Sequence, residues 1–300
     1  MKQPDPLLTP NVEADRLHYA TGELLGADDF RDEQTYHRRQ LARALLFLQG
    51  SGTIAGLRVV AQPLPASGLW PEDVEIAVEP GLALDRVGRL IEVPRRACLR
   101  LRRWYEAVAN QPPNSDGLDV DDLRTAFHPG ADLVIADIYL TFHPCDRGYT
   151  PAFASGPFDA LDASQPSRVR DAYELSLVPR PEPAPAAPAF DPWAKIHDAA
   201  PADRLEAALT ASLDAWNTLS LPPPDTLPQA QNPPGVDPTA LILARISIPA
   251  APAPDADSAP EPDWSAATWT DLAPGENPNI DNAVRNFLLP PAAIRHLLTP

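Results

Sequence analysis

The chain has 300 residues, with 39 prolines against 14 glycines and a formal net charge of −17. That length holds one large domain or two ordinary ones with a real core. An acidic chain repels phosphate backbones and anionic bilayer surfaces, so no nucleic-acid partner is expected unless a local basic patch exists.

The charge is unevenly spread. Residues 1–110 carry 14 basic and 15 acidic side chains, and residues 111–300 carry 10 and 26. Arginine supplies nearly all the positive charge, since Lys2 and Lys195 are the only lysines. The best basic patch is Arg95, Arg96, Arg100, Arg102 and Arg103, which reads as solvated charge around a strand end and a first helical turn. Cys98 and Cys145 are too few for a disulfide framework. The opening residues lack an apolar run and no stretch reaches eighteen apolar residues, so neither a secretory signal nor a membrane span is expected. A cytoplasmic protein is the default expectation.

In chain order, residues 1–18 read as an extended arm, because Pro4, Pro6 and Pro10 disfavour helix. A helix is predicted over Asp28–Gln49. Asp28, Asp29, Asp32 and Glu33 crowd its start and Arg38, Arg39 and Arg43 follow, which suits the helix dipole. Phe30, His37, Leu41, Leu45 and Leu48 fall near one face. Gly50 terminates it. A β-branched strand is predicted over Thr53–Ala61, then strands at 74–78, 82–84 and 90–93. Residues 97–101 read as a continuation of the last of these, followed by a short helix over 102–110.

Residues 133–142, LVIADIYLTF, read as a central strand ended by His143-Pro144-Cys145. Residues 169–178 form another, with Tyr173, Leu175 and Leu177 alternating with Glu174, Ser176 and Val178. Residues 179–200 open with a proline-rich linker, and residues 201–300 form a C-terminal region. A second helix is predicted over 201–219 with a stripe of Leu205, Leu209, Leu213 and Trp216. A strand follows at 241–248, and a short terminal helix at 291–298. The strands at 133–142, 169–178 and 241–248 are expected to share a sheet, with proline-rich excursions between them. The fold class is therefore α+β: an N-terminal helix with an antiparallel meander, then a mainly β core. The helix-plus-sheet domain is placed at 19–178.

No constellation carries chemistry clearly. His143, Cys145 and Asp146 lack the further ligands that a zinc site needs. His37 reads as a core-edge or capping histidine. The acidic start of the first helix and the pairs Glu72-Asp73 and Asp121-Asp122 show no convergence of the kind glycosidases need. Gly50, Gly52 and Gly56 lack the lysine of a phosphate loop and run from helix to strand, the wrong order. No catalytic residue, cofactor or metal site is nominated. Trp264 and Trp269 lie in the polar stretch EPDWSAATWTDL, and Phe287 and Leu288 in the apolar FLLPP. These four are the candidate partner-binding residues, since aromatic and aliphatic anchors serve interfaces or sugar stacking.

One stretch resembles a known pattern. Tyr19, Gly22, Leu24, Leu25, Asp29, Phe30, Glu33, Gln34 and Tyr36 are followed by Gly50, Gly52, Gly56 and Leu57, then by Glu79–Arg89, EPGLALDRVGR. This resembles structural proteins encoded with contractile phage-tail-like injection systems, mainly over residues 19–100. The block SRVRDAYELSLV at 167–178 is similar to a second block of that family. The resemblance implies a non-enzymatic particle component at the baseplate, a fibre attachment or the cap. The partners it implies are tube, sheath, baseplate or fibre proteins, in multiple copies set by particle symmetry. It implies assembly in the cytoplasm into a particle that is released or attached to a membrane. A receptor- or carbohydrate-binding module of such a particle is the alternative, and a hydrolase a third reading.

Overall fold

The computed structural model describes residues 15–68, 71–115, 117–151, 164–181, 194–219, 232–233, 235–270, 277–291 and 293–294. Most of the expected N-terminal arm, most of the proline-rich linker, Trp70, Trp193 and most of the expected terminal helix lie outside the described residues. The chain is α+β, as its patterning predicts: a long N-terminal helix, then antiparallel sheets with short helices between them.

Helix α1 (Ala27–Gln49) starts where the Asp29 carboxylate accepts the Gly26 amide at 2.6 Å and ends at Gly50, whose amide reaches the Leu46 carbonyl. The predicted strand over 53–61 is in fact two, β1 (Gly52–Gly56) and β2 (Val59–Leu64). The break has a steric cause. Leu57 adopts a positive φ of 57°, and Gly56 at φ 65° lies so close to the Pro80 carbonyl that any Cβ would come within 3.0 Å of it. The chain turns there and the two strands enter different sheets.

β3 (Asp73–Val78), β4 (Gly81–Leu84), β5 (Leu90–Val93) and β6 (Ala97–Arg100) complete this part. β1, β4 and β5 form one three-stranded sheet, and β2, β3 and β6 another. β6 thus does not continue β5; Pro94 and the residues after it carry the chain across to the edge of β3. Helix α2 (Leu101–Ala109) buries Leu101, Tyr105 and Val108, and α3 (Val120–Thr125) buries Val120 and Leu123.

After β7 (Phe127–His128) comes β8 (Leu133–Pro151), which runs antiparallel to β9 (Ser164–Pro179). His143-Pro144-Cys145 does not end β8; the strand runs through Pro144, opposite Asp171. α4 (Ala194–Asp198) and α5 (Arg204–Leu219) follow, then β10 (Leu241–Ala251), β11 (Glu261–Pro262) and β12 (Ile280–Asp281). β8 lies between β9 and β10, so the three strands expected to share a sheet do share one. β10, from the C-terminal region 201–300, is an interior strand of the sheet that β8 and β9 build.

One core joins all of these sheets. Ile76, Ile91, Leu101, Leu123, Ile138, Leu140, Leu243 and Ile246 are fully buried in it, with Trp269. On β8 the residues 134, 136, 138, 140 and 142 point into this core, while Asp137 and Tyr139 face the other side. As expected from its alternation, β9 places Leu177 in the core, with Tyr173 and Leu175 packed against it.

Candidate assembly surface

The four nominated anchors fall into different environments. Trp269 is fully buried, and its indole Nε1–H donates to the Asp263 carbonyl at 2.9 Å. It holds the 263–269 turn against the core and offers no free ring face, so it is corrected from an interface anchor to a core residue. Trp264 is half-buried and meets Tyr105 edge-to-face, with centroids 5.8 Å apart. The Tyr105 hydroxyl donates to Pro260, so this aromatic pair clamps the 260–264 segment onto α2. Polar flanks around these tryptophans mark a turn cap, not an exposed patch.

Phe287 and Leu288 run beside β1. The Thr53 amide donates to Asn286 and the Leu288 amide to Thr53, both at 2.8 Å. Leu288 is half-buried near Gly50, while Phe287 is 54% exposed with the Arg285 guanidinium over its ring. Upstream, the Asn282 side chain bonds both the amide and the carbonyl of Val59, and Arg285 donates to the Leu57 carbonyl at 2.6 Å. The C-terminal segment is thus a strap across the N-terminal meander. Burial and nearby Arg58 lower the Arg285 guanidinium to about 10.

Rows of exposed apolar side chains lie on two helices. On α5, Leu205, Leu209 and Leu213 are 73%, 60% and 81% exposed, while Ala211 and Ala215 are buried. On α1, Phe30, Leu41 and Leu48 are exposed, while Ala42 and Leu46 are buried. Leu205, Leu209 and Leu213 of one predicted stripe, and Phe30, Leu41 and Leu48 of the other, face outward. The reason is close packing: Leu46 meets Ala215, and the backbone of α1 at Ala42 lies directly against Gly88. Small residues set the contact between these elements, leaving the leucine ridges without a covering partner among the described residues.

Beneath α1, a buried polar network ties the β4–β5 hairpin to the large sheet. Asp85 accepts Arg89 Nε at 2.6 Å and the amides of Val87 and Arg89, and Arg89 also reaches Thr239. Arg89 further stacks over Phe142 at 4.6 Å. Burial pushes the Asp85 carboxyl up, and Arg89 pulls against that. Arg86 donates to the Pro238 carbonyl. On the second face of the large sheet, Asp137 is clamped between Arg180 and Arg245, and Arg180 also donates to the Tyr139 hydroxyl at 2.8 Å. Sequence reasoning missed this network, although a lone aspartate inside LVIADIYLTF was a signal that a buried charge needed partners.

Burial pushes the Tyr139 phenol up to about 12, and burial also raises Tyr105. A phenol raised in the fold contributes stability that is complete below its ordinary value near 10 and is lost as pH rises towards the folded value. Urea-unfolding free energy should therefore fall between pH 10 and 12 at up to roughly 1.4 kcal/mol per pH unit for each phenol. Tyr139→Phe should make that slope shallower, whatever it does to stability at neutral pH. An unchanged slope would contradict the assignment.

The residues considered for chemistry have structural duties. His143 Nδ1 lies 3.4 Å from Glu174, and the Cys145 thiol faces the His143 carbonyl. Asp146 points to the opposite face of the strand. His37 is an exposed neighbour of Glu33, not a core-edge residue. Asp73 accepts the amides of Val74 and Arg102, and Asp121 and Asp122 bind Arg124 and the Asp119 amide. Among the described residues, no group of three or more His, Cys, Asp or Glu side chains could hold a metal ion. No helix is long and apolar enough to cross a membrane among the described residues. In the basic patch, Arg96, Arg100 and Arg102 each lie within 4.0 Å of a carboxylate, from Glu75, Glu79, Asp73 or Glu106. Compared with known proteins, the chain matches no family model and no curated protein.

Proposed function

We propose that this chain is a non-enzymatic structural protein that acts by protein–protein assembly, as a component of a contractile phage-tail-like injection particle. The observation that carries the assembly reading is the outward leucine ridge of α5, joined by the exposed Phe30, Leu41 and Leu48 of α1. Contiguous exposed apolar side chains are costly to keep in water and mark protein contacts. The particle is suggested by the resemblance over residues 19–100. Its tube, sheath, baseplate or fibre proteins are the proposed partners, met in the cytoplasm before the particle is released or membrane-attached.

The test is mass spectrometry of intact purified particles from cells carrying the chain or its Leu205→Glu, Leu209→Glu, Leu213→Glu variant. The wild-type chain should co-purify with sheath and tube proteins. The triple variant should fold with unchanged thermal stability, because these side chains are already exposed, yet be depleted from particles at least about tenfold. Absence of the wild-type chain from intact particles would remove the particle reading. Retention of the variant would remove the leucine ridge as its contact.

A further inference from the structure

We infer that the outer half of the β8–β9 hairpin is an arginine-faced arm that docks on the acidic end of a second copy of this chain. The inference deepens the assembly reading by naming one partner, and it stands on different residues.

The pairing of β8 with β10 stops at Leu140, while β8 and β9 stay paired out to Pro151 and Ser164. Beyond Cys145 the two strands form a bare ribbon, about 20 Å long at the usual rise per residue, and residues 146–151 and 166–171 are exposed. A two-stranded ribbon without a packed face is marginal by itself. Its charges deepen the problem. Arg147 lies directly opposite Arg168, and Arg170 is the next residue on the same face, opposite Cys145. Like charges placed across a ladder destabilise it. Asp146 and Asp171 project from the other face, and the nearest carboxylate on the arginine face, Glu174, is held by His143 at 3.4 Å. Among the described residues, no carboxylate lies within 4.0 Å of any of the three guanidiniums, in contrast to the Arg96–Arg102 patch. This arm is built to receive an anionic surface.

The chain carries such a surface at the opposite end of the same sheet. β8 begins at Leu133 beside Pro249, where α3 and the loop after β10 meet. Arg124 ties them together, donating to Ser258 and to Asp121. Asp121 is bonded by that guanidinium and Asp255 feels its charge, while Asp122 on α3 and Asp257 and Glu261 on the segment after β10 are further exposed or half-exposed carboxylates of the same two elements. A basic arm at one end and an acidic surface at the other give the molecule a polarity. Joining unlike surfaces builds a head-to-tail contact, which closes into a ring or extends as a filament. A chain of net charge −17 also disfavours the alternative of a phosphate polymer on the arm.

The experiment is sedimentation velocity of the full chain across concentration at low and high ionic strength. The wild-type chain should self-associate reversibly at low ionic strength and dissociate as salt is added. Arg147→Glu, Arg168→Glu, Arg170→Glu should weaken association at least about tenfold, and Asp257→Arg, Glu261→Arg should do the same. An equimolar mixture of the two variants should regain association, in alternating order, because the reversed charges meet in the complementary sense. Circular dichroism establishes that each variant is folded, and the acidic-end variant reads out independently if the arm variant is not. Three results would overturn the proposal: a monomeric wild-type chain at low ionic strength, variants that associate like the wild type, or an arm whose arginines retard a DNA oligonucleotide. None of these bears on particle co-purification, so the two readings fail separately.

Discussion

Replacing Asp137 by asparagine is expected to destabilise the chain by about 3–5 kcal/mol, because it leaves two guanidiniums on the buried side of the sheet without their anion. Asp137 has a side-chain exposure of 1% and lies between Arg180 and Arg245, whose own side chains are 13% and 29% exposed. The three residues belong to three strands or their ends: Asp137 to β8, Arg245 to the directly opposed position of β10, and Arg180 to the residue just past β9. The carboxylate therefore neutralises the centre of the sheet and pins the register of both neighbours. Asparagine keeps the size and one acceptor oxygen but not the charge. Equilibrium urea unfolding at neutral pH gives the cost directly. A double-mutant cycle with Arg245→Leu should show strong coupling, since removing the cation relieves part of the penalty. A loss below about 1 kcal/mol would mean that water reaches the site and the pair contributes little.

Gly88→Ala should cost a comparable amount, about 2–4 kcal/mol, from a single methyl group. Gly88 closes the β4–β5 turn at φ 84°, a region that penalises any Cβ. That Cβ would also come within 3.0 Å of the Ala42 carbonyl, which belongs to the backbone of α1 and cannot rotate away. Two independent penalties add, and the helix must lift from the hairpin. Because Leu46 of α1 contacts Ala215 of α5, the displaced helix loses its seat there as well. Hydrogen exchange should show early loss of protection in α1 and α5, with β8 and β10 less affected. Uniform loss across all elements would argue that α1 does not detach separately.

Much of the fold was legible because its signals are local. Alternation over 74–78 and 173–178, the apolar run 133–142 and the charge order of 28–43 each identify an element without reference to the rest. Two strand ends were misread for local reasons too. Proline at 144 reads as a terminator, yet on a ribbon with an open edge its missing donor costs nothing. The break at Gly56 and Leu57 was hidden because β-branched residues continue on both sides of it. The candidate surface was less legible. The apolar stripes were legible but not which way they face: Ala42, Ala211 and Ala215 take the buried positions because they allow a closer approach than leucine would. Trp269 drew notice through its polar flanks, which in the fold supply its hydrogen-bond acceptor.

By itself the sequence determined most of the long helices and strands, the α+β class and the acidic balance. All of these rest on periods of two or 3.6 residues and on side-chain charge. Tertiary structure alone decided which helix faces are covered, how the meander divides into two sheets, and that Arg147, Arg168 and Arg170 share one open face. The physical reason is separation along the chain. Asp137 meets Arg245 across 108 positions and Thr53 meets Phe287 across more than two hundred. Such pairings depend on closing long loops around a common core, and no local pattern encodes that closure.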